Sequence, residues 1–246
     1  MTYLRYTFVA SLISRTISSS LRPIIHILLQ LYIIGALIVV SSASPVDSLV
    51  QARRQIEAGK SLEGLKILNK LSFDSMRTNS QYFFLKGRAE QELRRNIESL
   101  TSYSIAIYLN PSFTNAFINR ALVKGALKDL DGALDDLNQA LVLDPKNKVA
   151  LLNRGVTRAG IGKSMLAIDD FNHAIKIDNR YADAFRNRGI VRYLDQDLHG
   201  ACGDWIKSNQ LVRSEVLEWI TAFCGPSIQS SGPHGRAVPP RPRVGP

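Results

Sequence analysis

The chain repeats itself every 34 residues, and that period limits what it can fold into more than any other feature. Asn119-Arg120-Ala121, Asn153-Arg154-Gly155 and Asn187-Arg188-Gly189 recur at this interval. So do Ala133, Ala167 and Ala201, then Leu137, Phe171 and Trp205, then Ala140, Ala174 and Ser208. Residues 114–147, 148–181 and 182–215 are therefore three copies of one unit. A fourth, 80–113, carries Phe83, Gly87, Tyr103, Ala106 and Pro111 in the matching columns. A degenerate fifth occupies about 45–79, where Ala52, Leu65, Leu68 and Leu71 keep helical spacing. A unit this short cannot bury its own apolar face, so neighbouring copies must stack and share a core.

Each unit reads as two helices. In 114–147, Phe117, Ala121 and Leu127 mark the first helix, and Ala133, Leu137, Ala140 and Leu141 mark the second, with a turn near Lys128–Asp131. Small residues at the crossings let the backbones approach, and Leu, Phe or Trp fills the space beside them. Asp144-Pro145 ends the second helix, because the residue before proline is pushed out of helical geometry. Arg120 and Asp136 are symmetric about the turn of their unit, as are Arg154 and Asp170, and Arg188 and Asp204. Antiparallel helices bring each pair to equal height, which predicts one ion pair inside each of these units.

These alanine, glycine, aromatic and proline columns resemble the tetratricopeptide-repeat family over residues 45–224. The resemblance implies an all-α protein, a right-handed α-solenoid of about five helix-turn-helix units at 45–79, 80–113, 114–147, 148–181 and 182–215. The amphipathic stretch SEVLEWITAF within 214–224 reads as the capping helix that covers the last exposed core face. The Asn-Arg-Gly column, with Asp204-Trp205, Trp219-Ile220 and Cys224, is most similar to repeat proteins of photosynthetic bacteria and plastids. Asn179 stands where the family pattern has proline.

The two ends differ from the body. Ile24 to Val40 is a 17-residue run without a charge, followed by Ser41-Ser42-Ala43-Ser44-Pro45. Residues 1–44 read as a signal peptide cleaved after Ala43 or as a signal-anchor that holds the membrane through a separate hydrophobic helix at 24–43. Arg15 and Arg22 precede the run and no basic residue follows until Arg53. That asymmetry predicts a cytoplasmic N-terminus and repeats on the trans side, in a periplasm or, in a photosynthetic host, a thylakoid lumen. Residues 225–246 hold six prolines and no helical period, and read as a disordered tail.

Charge follows the same division. The formal net charge is +10, yet no Asp or Glu occurs before Asp47 or after Glu218, and six of the 31 basic residues lie at the ends. The body is only about +4, which argues against nucleic acid as a partner. Gly160-Ile161-Gly162-Lys163-Ser164 looks like the end of a phosphate-binding loop, but Thr157 stands at the motif's first glycine and a helix, not a strand, precedes it. Nucleotide binding is not expected. His26, His173, His199 and His234 are scattered, and Cys202 and Cys224 are 22 residues apart, so no metal-ligand spacing exists. No catalytic motif is present, and neither enzyme activity nor a cofactor is expected. The two cysteines fall at the same end of the last unit, either as a disulfide or as two packed thiols.

With no chemistry in view, function is expected to come from shape. The first helices of stacked units line a concave groove that suits a protein or peptide partner, and the chain reads as a non-catalytic scaffold, an adaptor or assembly factor. The alternative is a constitutive structural subunit of a membrane-associated complex. Once core and ladder positions are removed, the groove falls to Phe84, Arg88 and Gln91, to Ile118, Asn119 and Leu122, to Leu152, Asn153 and Val156, and to Arg186, Asn187 and Ile190. Repeated amides can hydrogen-bond an extended backbone. The lysine and arginine cluster with which chaperone-binding members of the family hold a terminal carboxylate is missing here. Replacing Asn119, Asn153 and Asn187 with Asp is expected to spare stability, with Asn138 and Asn172 as outward-facing controls.

Overall fold

The computed structural model describes residues 44–212 and 216–225. The chain forms two compact units that divide at Val50–Gln51. Of the first, 44–50 is described, and it contains the opening of α1 (Pro45–Glu57). In the second, the rest of α1 is followed by α2 (Ser61–Asn69), α3 (Phe73–Met76), α4 (Ser80–Glu92), α5 (Asn96–Leu109), α6 (Thr114–Ala126) and α7 (Leu130–Leu143). Then come α8 (Lys148–Gly160), α9 (Ser164–Ile177), α10 (Ala182–Leu194), α11 (Leu198–Leu211) and α12 (Val216–Phe223). No strand occurs among the described residues. The apolar run at 24–43 and the tail from 226 onward lie outside them, and no described helix is long and apolar enough to cross a membrane.

Helices α4 to α11 form four hairpins in the register set by the repeat. Each first helix packs along its own second helix, and that second helix packs on the next first helix. The turns follow the period too: Arg94, Lys128, Gly162 and Gln196 all adopt positive φ, at 58°, 69°, 78° and 67°. Gly162, the glycine of the phosphate-loop look-alike, is thus the turn residue of its unit and the only one of the four without a Cβ to strain. Second helices begin on side-chain caps where the sequence supplies them. Asp129 accepts from the Gly132 N–H at 3.0 Å and Asp197 from that of Gly200 at 2.8 Å. They end at Leu109, Leu143 and Ile177, the last without a proline, because Asp178 itself turns extended.

In the degenerate unit, Ala52, Leu65 and Leu68 are buried as the spacing predicts, while Leu71 lies beyond the end of α2 and is only half-buried. Its second half differs from the other units: α2 stops at Asn69, and Ser72 adopts an extended conformation before the short α3. The core lies between the helices of each hairpin and the next. Ala121, Leu137, Leu141, Ala150, Leu152 and Phe171 are among the buried residues of its central cluster. At the end of the stack Trp205 packs edge-on against Trp219 of α12 with ring centroids 5.5 Å apart, beside buried Ile190 and Val216. A disulfide joins Cys202 on α11 to Cys224 just beyond α12, fixing the cap to the hairpin it covers.

Candidate functional site

The charged ladder forms as its symmetry predicts. Asp136, Asp170 and Asp204 receive Arg120, Arg154 and Arg188 at 2.7, 2.7 and 2.6 Å. Each arginine donates through Nε as well, so the pairing is bidentate. Two further columns join it that the symmetry argument missed. A second cation from the following turn, Lys124, Arg158 or Arg192, reaches the same carboxylate at 2.9, 2.7 and 2.8 Å. Each arginine also donates to the preceding second helix, to Ser104, Asn138 and Asn172. The ladder therefore ties unit to unit. Its carboxylates are buried and hydrogen-bonded, a structural use that leaves them unavailable to a ligand.

Unit 80–113 lacks this arrangement. Lys86, Glu90 and Ser102 stand in the three columns, so the acid has moved to the first helix. Glu90 is buried and accepts from the Ser102 hydroxyl at 2.6 Å. Burial pushes its carboxyl above the usual carboxylate range, against the opposing effects of Ser102 and Lys86.

The first helices line an open groove of about 470 Å³. Arg53 and Glu57 come from α1, Gln81, Phe84, Leu85 and Arg88 from α4, Asn115, Ile118, Asn119 and Leu122 from α6, and Val149 from α8, with Phe113 and Asn147 at the helix starts. Its apolar part is built on Phe84, whose ring lies 4.7 Å from that of Phe113 and 5.9 Å from that of Tyr103. The amide of Asn119 donates to the Asn115 carbonyl at 2.8 Å, and Arg88 is 3.8 Å from Glu92. Side-chain amides, two guanidinium groups and one carboxylate thus surround an apolar floor. Such a surface can hydrogen-bond an extended backbone while accepting apolar side chains.

Five of the residues expected from sequence, Phe84, Arg88, Ile118, Asn119 and Leu122, come together here. The others do not line this groove. Gln91 accepts from the Tyr103 hydroxyl at 2.8 Å, within its own hairpin. Val156 and Arg186 are half-buried, Arg186 pairing with Asp183 at 3.0 Å. Leu152, Asn153, Asn187 and Ile190 are buried. Two expectations are corrected accordingly. Asn153 and Asn187 are 0% exposed, so a carboxylate there would enter the interior at a large cost rather than sparing stability. Asn138 and Asn172 serve the ladder and are not neutral controls. The reading also missed Gln81, Asn115 and Val149, which share one 34-residue column a helical turn before the Asn119 column.

A row of antiparallel helix hairpins with this period, crossing pattern and terminal cap defines the tetratricopeptide-repeat fold, and the chain has that fold. No protein-family model matches it, and no curated protein matches its sequence. Solved structures do match. PilW, a type IV pilus biogenesis factor, has a TM-score of 0.64 at 18% identity, covering 70% of this chain and 80% of its own. A MamA structure starting at residue 41, from Desulfovibrio magneticus RS-1, gives 0.60 at 19% identity, covering 68% and 94%. YrrB, a TPR protein with an unusual peptide-binding site, gives 0.57 at 17% identity, covering 72% and 91%.

Proposed function

We propose that this chain is a non-catalytic adaptor that holds an extended segment of a partner protein along the groove of α1, α4, α6 and α8. The observation that carries the reading is the composition of that groove: Gln81, Asn115 and Asn119 supply amides beside an apolar floor of Phe84, Ile118 and Leu122. The peptide-binding site named for YrrB, on the same fold, supports it. We also propose that the repeats work outside the cytoplasm, tethered or exported through residues 1–44. The Cys202–Cys224 disulfide supports this location, since such bonds persist in oxidising compartments.

A peptide library displayed on phage and panned on the full-length chain in mild detergent tests the groove. Selected peptides are expected to lose about tenfold or more in affinity on Leu122→Glu or Asn119→Asp. Unchanged affinity in both folded variants would reject the groove as the contact. The outward face of α5 favours a second reading, that of a constitutive subunit. Ile97 and Tyr108 are 65% and 83% exposed there, beside Leu100, Thr101 and Ile105, an uncharged patch suited to a permanent interface. Stable co-purification in fixed stoichiometry, lost on Tyr108→Glu, would favour it.

A further inference from the structure

Between the second helices α7 and α9 the repeat departs from its own pattern in a way that opens a second site. The units on either side carry phenylalanine in the column that holds Leu151, as Phe117 and Phe185. Each of those rings sits beneath the guanidinium three residues later, 5.7 Å from Arg120 and 5.5 Å from Arg188. Leu151 has no ring to put there. Leu151 and Arg154 instead line a cleft of about 720 Å³, with Leu141, Pro145 and Ile177 among its apolar walls.

The charge changes with the shape. Lys146, His173 and Lys176 line this cleft, whereas the preceding junction has Ser112, Gln139 and Val142 in the same columns. No acidic residue lines it. The guanidinium of Arg154 is already committed to Asp170 and Asn138, but neither lysine takes part in an ion pair among the described residues. An apolar pocket ringed by uncompensated cations selects a ligand that is both apolar and anionic. The chain's own ends do not fit, because no Asp or Glu occurs before Asp47 or after Glu218.

We propose that this cleft docks an acidic peptide segment of a partner protein. One apolar side chain of the segment fills the space over Leu151, and flanking carboxylates meet Lys146 and Lys176. The site is separate from the first-helix groove and does not depend on it.

The test uses the full-length chain in mild detergent and a fluorescein-labelled acetyl-Glu-Leu-Glu-Phe-Glu-Leu-Glu-amide, with a second peptide in which Gln replaces every Glu. Anisotropy is expected to show saturable binding of the acidic peptide that weakens with salt, and none of the Gln peptide. Leu151→Phe restores the residue of the neighbouring units and places a ring beneath Arg154, where it takes the space of the docked apolar side chain, and affinity should fall about tenfold or more. Should that variant fail to fold, Lys146→Ser with Lys176→Val, again the residues of the preceding unit, reads the charge separately and should lower affinity as far. Leu122→Glu, in the groove, should leave binding unchanged. Unaltered binding in the folded Leu151→Phe and the double variant would overturn the proposal. So would loss of binding only on Leu122→Glu. Two other results would also overturn it: phosphatidylglycerol vesicles bound in place of the peptide, which would make the cleft a membrane contact, or self-association abolished by Leu151→Phe without peptide binding, which would make it an interface between copies.

Discussion

In three of the four hairpins from α4 to α11 a glycine faces an aromatic ring 16 residues later, and the pair varies together. A Cβ on Gly87 would lie 2.8 Å from the Tyr103 ring, one on Gly155 2.6 Å from Phe171, and one on Gly189 2.5 Å from Trp205. In the unit where leucine replaces the ring, Leu137, alanine stands opposite as Ala121. Size is thus conserved across the crossing rather than at either position, as close packing requires. Gly155→Ala should cost about 1–3 kcal/mol through overpacking against Phe171. Adding Phe171→Leu copies the Ala121–Leu137 pair and should recover part of that loss, with a coupling of about 0.5–3 kcal/mol in a double-mutant cycle read by chemical denaturation. Additive costs would show that the crossing does not set the residue sizes.

Between elements, the ladder joins each hairpin to its neighbour, and burial decides how much each link contributes. The Asp170 side chain is 1% exposed and accepts from both Arg154 and Arg158, so Asp170→Ala leaves two half-buried cations without their carboxylate. That should cost about 3–5 kcal/mol in denaturant melts. The Lys148–Asp178 pair, 2.6 Å long, is more open to solvent and is the contrast, and Lys148→Ala should move the unfolding midpoint far less. The rungs were legible in the sequence because paired columns equidistant from a turn meet on antiparallel helices. The second cations at Lys124, Arg158 and Arg192 were as regular, but lacked a symmetric acid to point them out. The acceptors Ser104, Asn138 and Asn172 belong to the preceding unit, and an argument confined to single hairpins could not reach them.

Glu90 supplies the pH dependence of this layer. Burial raises its folded pKa above the ordinary 4.5, chiefly by desolvation, so the folded protein holds this proton more tightly than the unfolded chain does. Its stability contribution is complete below 4.5 and is lost as pH rises through the raised folded value. Glu90→Gln should therefore be more stable than the parent at neutral pH and should lack that fall. Equal pH profiles of the unfolding midpoint for the two proteins would contradict this.

At the scale of the molecule, fold and groove were not equally legible. Core columns recur because every unit buries the same face, so a period in Ala, Gly and aromatic residues reports the stack directly. A binding surface is bound by no such rule. Asn119 and Asn153 share one column, yet one lines the groove and the other is fully buried. Arg53 and Glu57 enter the groove from the degenerate unit, where the period no longer guides the eye. The proposed partner lies along the first-helix face. Photo-crosslinking in the native host tests that placement most directly, with benzoylphenylalanine introduced singly at Gln81, Asn115 and Leu122, and at the outward positions Asp135 and Asp169. A discrete adduct to one partner is expected from the groove positions and none from Asp135 or Asp169. Adducts from the outward positions alone would contradict it.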